Sequence, residues 1–136
     1  MLDIPLRPLK DDVLGPLVRG PLRAVPPLLI TGAALAAALG AGLAAWRSAP
    51  VVAVSLWLLS RLADGLDGAV ARHQGGASDR GGLVDIVADS IGYAAVPLGI
   101  AAGIDTRVVW VVVAVLLATF SVNAVSWTYL AALLEK

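Results

Sequence analysis

The sequence predicts an all-α integral membrane protein: four antiparallel transmembrane helices preceded by a short N-terminal surface helix. Hydrophobic residues make up 59% of the 136-residue chain and charged residues only 15%, against about 45–50% and about 25% in soluble domains. Mean hydropathy is +0.87. The few charges divide the chain into four stretches, each close to the roughly 20 residues that a helix needs to cross the hydrocarbon core.

Residues 1–23 form a juxtamembrane segment and residues 24–134 the membrane domain. In the first, Val13, Leu14, Leu17 and Val18 recur at helical spacing among Lys10, Asp11, Asp12 and Arg19. That pattern suits a helix lying on the membrane surface, although Gly15-Pro16 and Pro21 work against it. A secretory leader would place a shorter apolar core near the N-terminus, before a small-residue cleavage site, so no cleaved leader is expected. Ala24 to Trp46 carries no charge and is the first span. Val51 to about Ala71 is the second, interrupted by Arg61, Asp64 and Asp67, and Gly81 to about Gly103 is the third, interrupted by Asp85 and Asp89. Uncharged Val108 to Leu134 is the fourth, where Asn123, Ser126 and Thr128 suit hydrogen bonds between helices. The connections Arg47 to Pro50, His73 to Arg80 and Ile104 to Arg107 are short, which makes neighbouring helices antiparallel.

Charge supplies the orientation. Arg7, Lys10, Arg19, Arg23, Arg72, Arg80 and Lys136 fall on one side of these spans, against Arg47 and Arg107 on the other. The excess of positive charge places both termini and the connection from Arg72 to Arg80 in the cytoplasm, in a cell or inner membrane. Ten Lys+Arg balance ten Asp+Glu, leaving no basic excess to hold nucleic-acid phosphates, so nucleic acid is not an expected partner. The absence of cysteine excludes disulfides, thiolate metal sites and iron–sulfur clusters. The single histidine, His73, reads as a solvated loop residue, and Asp79 and Asp105 as ordinary loop charges.

The chemistry lies in Asp64-Gly-Leu-Asp67-Gly68-Ala-Val-Ala71-Arg72 and, eight residues later, Gly81-Gly-Leu-Val-Asp85-Ile-Val-Ala-Asp89. Helical spacing puts Asp64 and Asp67 on one face, continued by Gly68 and Ala71, and puts Asp85 and Asp89 together on the next helix. Counting inward from Arg72 and Arg80, these carboxylates lie roughly 7 to 13 Å from the cytoplasmic ends, so all four can meet at matching depth. An aspartate at a helix centre costs about 2.5–3.5 kcal/mol to insert. Arg61, three residues before Asp64, is its natural helix partner, but two cations, Arg61 and Arg72, do not satisfy four clustered carboxylates. Hard divalent cations, Mg²⁺ or Mn²⁺, favour all-oxygen ligands and keep positions open for water and phosphate. Gly65, Gly68, Ala71, Gly81 and Gly82 are small where a ligand would have to approach the helices.

These residues resemble the signature of the CDP-alcohol phosphatidyltransferase family, D-x-x-D-G-x-x-A-R followed by G-x-x-x-D-x-x-x-D. Asp64, Asp67, Gly68, Ala71, Arg72, Gly81, Asp85 and Asp89 match it throughout. The resemblance extends over roughly Leu9 to Leu134, and Thr31 is similar to a threonine that the family carries early in its first span. It implies transfer of a phosphatidyl group from CDP-diacylglycerol to a small alcohol, with release of CMP. By that likeness Asp64, Asp67, Asp85 and Asp89 hold two divalent cations, and Asp89 also takes the proton of the acceptor hydroxyl. Asp64, Asp67, Gly68, Ala71, Arg72 and Gly81 bind the CDP group. Membrane lipid and a second copy of the chain are the other implied partners.

The family fold has six spans, so four read as an incomplete version of it. A catalytically incomplete subunit that keeps the CDP and metal site is therefore the main rival reading. A cation-coupled transporter also places carboxylates in spans, but leaves the Gly/Ala stripe and the Arg72 spacing unexplained. Intramembrane prenyltransferases hold Mg²⁺ and a diphosphate on Asp-rich helices of a different signature. The acceptor stays open: Ser90 to Pro97 resembles the serine-accepting branch, whereas Arg80 and Arg107 would suit a phosphorylated alcohol.

Overall fold

Helix accounts for nearly all of the computed structural model, which describes residues 20, 25–74 and 79–134, the side chains of residues 72, 79 and 80 excepted. Among these residues run α1 (Pro27–Trp46), α2 (Pro50–His73), α3 (Asp79–Ile104) and α4 (Arg107–Leu134). The surface helix expected before the first span lies outside the described residues. Proline begins both α1 and α2, where its missing N–H would have had no intrahelical acceptor and its fixed φ already suits the helix. α3 continues through Pro97, which removes the amide that would otherwise bond the Tyr93 carbonyl one turn earlier.

Two of the connections close without glycine. Ser48 and Asp105 adopt the left-handed conformation, with φ of 54° and 48°. The amides of Ser48 and Ala49 donate back to the carbonyls of Ala45 and Ala44 at 3.0 and 2.9 Å, satisfying the last turn of α1. Asp105 does more than an ordinary loop charge would, because its carboxylate accepts the indole N–H of Trp110 at 3.0 Å and fastens the first turn of α4.

α1 is the centre of the assembly. It packs along both α2 and α3, while α2 and α3 share no comparable backbone contact among the described residues, and α4 packs appreciably on α3 alone. Contacts between α1 and α2 pair Thr31 with Asp67 and Gly40 with Leu56, and just beyond the helix ends the Gln74 side-chain amide donates to the Val25 carbonyl. Those between α1 and α3 pair Ala38 with Gly92, Gly42 with Ala95 and Gly99, and Trp46 with Gly103. The second set is backbone against backbone: a Cβ on Gly42 would lie 2.5 Å from the Ala95 carbonyl oxygen, and one on Gly99 would overlap the Gly42 carbonyl. Lipid tails are as apolar as leucine, so helices in a membrane gain most from such close packing of small residues.

Among the described residues, three helical stretches are long and apolar enough to cross a membrane: Pro27–Trp46, Gly81–Ile104 and Arg107–Leu134, with mean hydropathies of 2.0, 1.5 and 2.4. α2 departs from the expected fourth apolar span. Its 24 residues suffice in length, but Arg61, Asp64 and Asp67 make it too polar to qualify by composition. The polar residues of α4 also differ from expectation. Ser126 and Thr128 bond to carbonyls of their own helix, Val122 at 2.7 Å and Ala124 at 2.9 Å, instead of reaching a neighbour. Both are exposed, and a hydroxyl with no facing helix finds its acceptor one turn back.

Candidate metal and nucleotide site

The acidic residues sit on α2 and α3, both of which pack along α1. Asp64 and Asp67, one turn apart on α2, face Asp85 on α3, and carboxylate oxygens of the three lie within 4.8 Å of one another. Asp67 is the deepest, only 5% exposed. The Thr31 hydroxyl on α1 donates to its Oδ2 at 2.7 Å, with a longer approach of 3.2 Å to its own helix's Pro27 carbonyl. The bond to Asp67 is the stronger of the two, since an ionised acceptor shortens and strengthens it. Asp85 Oδ1 is buried and has no hydrogen-bond partner among the described residues.

Asp89 stands beside this group and is engaged differently. The Arg61 guanidinium reaches across from α2 and donates to Asp89 Oδ1 at 2.9 Å, while the same Nη1 is 3.8 Å from Asp64 Oδ2. The pairing expected within α2 is therefore the longer one, and the shorter one joins α2 to α3. Arg61 Nε also donates to Ser60 Oγ at 3.3 Å, and its guanidinium lies 4.7 Å from the centre of the Tyr93 ring. Ser60 is fully buried beneath it.

Of the other sequence-predicted residues, Gly68 and Ala71 are half-buried on α2 and Gly81 is exposed on the first turns of α3. The Arg72 and Arg80 side chains lie outside the described residues. His73 is exposed, as a solvated residue would be, although it closes α2 and is not in a loop. Sequence reasoning did not find the Thr31 to Asp67 bond or the Arg61 to Asp89 bridge. The signal for the first was a hydroxyl among otherwise apolar residues at the start of α1. The second left only an intrahelical spacing, which pointed to Asp64.

The donor set suits a hard cation. Oxygens on opposite sides of an octahedral Mg²⁺ lie about 4.2 Å apart, so 4.8 Å closes onto such an ion with small side-chain rotations. An orphaned, buried carboxylate oxygen at Asp85 is the group that an ion would satisfy, since a buried charge without a partner is costly.

Residues 24–135 match the CDP-alcohol phosphatidyltransferase family along their length. The chain belongs to that family, a class of enzymes that transfer phosphate-linked groups in phospholipid synthesis. It is also similar to the inner membrane protein YnjF of Escherichia coli (strain K12), with 48% identity over 54 residues, which are 40% of this chain and 24% of that protein. The match thus spans about a quarter of that relative's length. No solved structure gives a significant match. The family, the relative and the apolar helices together make this an integral membrane protein.

Proposed function

We propose that the chain transfers a phosphatidyl group from CDP-diacylglycerol to the hydroxyl of a small alcohol and releases CMP. The observation that carries this reading is the convergence of Asp64, Asp67 and Asp85 from two helices, in a chain of a family whose activity is phosphatidyl transfer. Asp64, Asp67 and Asp85, with Asp89 alongside, would hold divalent cations, Mg²⁺ or Mn²⁺ and two in number. When bound, such ions neutralise the donor diphosphate and stabilise the attacking and leaving oxygens.

The chain's own residues do the rest. Gly68 and Ala71 leave room on α2 for the CDP head, which by the family likeness Arg72 and Gly81 also bind. Thr31 holds Asp67 in place through its bond to Oδ2. Asp89 presents a carboxylate oxygen to the acceptor hydroxyl. As the hydroxyl oxygen bonds to the phosphorus next to diacylglycerol, that carboxylate takes the proton and the bond to the CMP phosphate breaks.

We infer that all four helices cross the membrane in alternating directions. The order of contacts between α1 and α2, from Thr31 with Asp67 to Gly40 with Leu56, supports this reading, as does the rising order between α1 and α3. α2 crosses despite its charges because its polar face turns toward α1 and α3. Both termini and residues 72–80 lie in the cytoplasm, where CDP is available, and the protein is a homodimer in a cell or inner membrane.

The test is CMP release from CDP-diacylglycerol by membranes containing the chain, with and without Mn²⁺, across serine, glycerol phosphate, inositol and inositol phosphate. Release that requires both Mn²⁺ and one of the acceptors is expected, and Asp85→Asn should abolish it. CDP-diacylglycerol binding without turnover would instead mark an incomplete subunit, and release that persists unchanged in Asp85→Asn would remove Asp85 from the site.

A further inference from the structure

Arg61 sits where a second cation would have to go. Its guanidinium bonds Asp89 at 2.9 Å and faces Asp64 at 3.8 Å, so it spans one carboxylate inside the three-residue group and the one just outside it. The surroundings hold it there. Ser60, fully buried, accepts from Nε, and the Tyr93 ring covers one face at 4.7 Å, a separation at which a ring attracts a guanidinium. Gly92 keeps the α3 backbone low on this side: a Cβ there would come 3.2 Å from Ala38 and 3.5 Å from the guanidinium. The side chain is only 20% exposed, so water screens its charge weakly.

We propose that Arg61 is a resident counter-ion of the acidic site that competes with a second divalent cation for Asp89, so that two ions load in unequal steps. The inference rests on the metal reading given above and goes beyond it by assigning Arg61. The first ion takes Asp64, Asp67 and Asp85, of which Arg61 faces Asp64 at 3.8 Å, the longer of its two ion pairs. The second needs Asp89, and must displace a hydrogen-bonded guanidinium and sit close to its positive charge. Arg61 is thus a positioning residue: it acts through Asp89 and keeps that carboxylate fixed beside the ion-holding group.

The experiment is a titration of the purified full-length chain in lipid nanodiscs with Mn²⁺ alone, following free and bound Mn²⁺ by electron paramagnetic resonance. The wild type is expected to bind one ion tightly and a second at least tenfold more weakly. In Arg61→Gln the second step should tighten tenfold or more while the first moves less, and a spin-coupled pair of ions should appear at lower Mn²⁺. Arg61→Lys, which keeps the charge, should retain the unequal steps. Tyr93→Leu, which leaves both ion pairs and removes the ring with its hydroxyl, should tighten the second step about twofold to threefold. Asp89→Asn, which removes the carboxylate the second ion needs, should lose the second step whether or not Arg61→Gln is added. Tight first-ion binding shows that each variant has folded its site. A second step unchanged in Arg61→Gln overturns the role of Arg61 and leaves the metal reading standing. No Mn²⁺ bound by the wild type overturns the metal reading and this inference with it.

Discussion

α1 and α4 are the two most apolar helices of the chain, with mean hydropathies of 2.0 and 2.4, yet 39% of the first span is buried inside the protein and only 6% of the second. Hydropathy does not separate them; side-chain size does. α1 buries Thr31, Ala34, Ala38, Ala41, Gly42 and Ala44, which let two other helices approach its backbone. α4 carries valine, leucine and tryptophan around its circumference and buries Val113 alone. The comparison shows that apolar content inserts a helix, whereas small residues decide which helix becomes the scaffold. The acidic site is built over the small-residue helix, and α1 contributes to it directly through Thr31.

The largest expected effect comes from widening that scaffold. Gly99→Leu puts a side chain where the Gly42 carbonyl now lies, and the clash is with backbone, which has no rotamer to yield. Overpacking of this kind costs about 1–3 kcal/mol or more. It should part α1 from α3 and move Asp85 away from Asp64 and Asp67. Mn²⁺ affinity and CMP release should both fall by well over tenfold, together with a lower unfolding temperature in detergent. Unchanged Mn²⁺ affinity would show that the α1 to α3 contact does not set the site's spacing.

This dependence also explains what was legible in the sequence. Helix boundaries were, because proline and charge mark them: Pro50 begins α2 and Arg107 begins α4 where the connections were expected. The meeting of Asp64, Asp67 and Asp85 was legible too, since helical spacing and equal depth are arithmetic on residue number. The partner of Arg61 was not. Sequence spacing displays only pairs within a helix, and Asp89 lies on the next helix, brought within 2.9 Å of Arg61 by the packing of α2 and α3 along α1. That packing includes the contact of Gly42 with Gly99, two glycines 57 positions apart whose pairing no local pattern announces. The charges of α2 were legible as interruptions of its span, but the helices they face were not. Its polarity makes sense only once its carboxylates face α1 and α3.

A smaller effect is expected where α1 touches the chemistry itself. Thr31→Val keeps the shape and removes the bond to Asp67 Oδ2. Hydrogen bonds to charged groups contribute about 1.5–3 kcal/mol, so Mn²⁺ affinity and kcat should drop roughly tenfold. KM for the acceptor should change little, and Thr31→Ser should recover most of the loss. A drop in stability with no change in Mn²⁺ affinity would reduce Thr31 to a packing residue.

The smallest effect is expected on α4. Truncating a buried leucine to alanine usually costs about 2–5 kcal/mol, but Leu116 is 51% exposed and exchanges one lipid-facing surface for another. Leu116→Ala should therefore leave stability within about 0.5 kcal/mol and CMP release within twofold. This substitution is also the sharpest probe of the contrast between the two helices. A loss of core size would mean that another helix covers α4 in the membrane, and the proposed homodimer offers one. Crosslinking between copies through a cysteine placed at residue 116 would then distinguish a second chain from lipid, because the chain has no other cysteine to react.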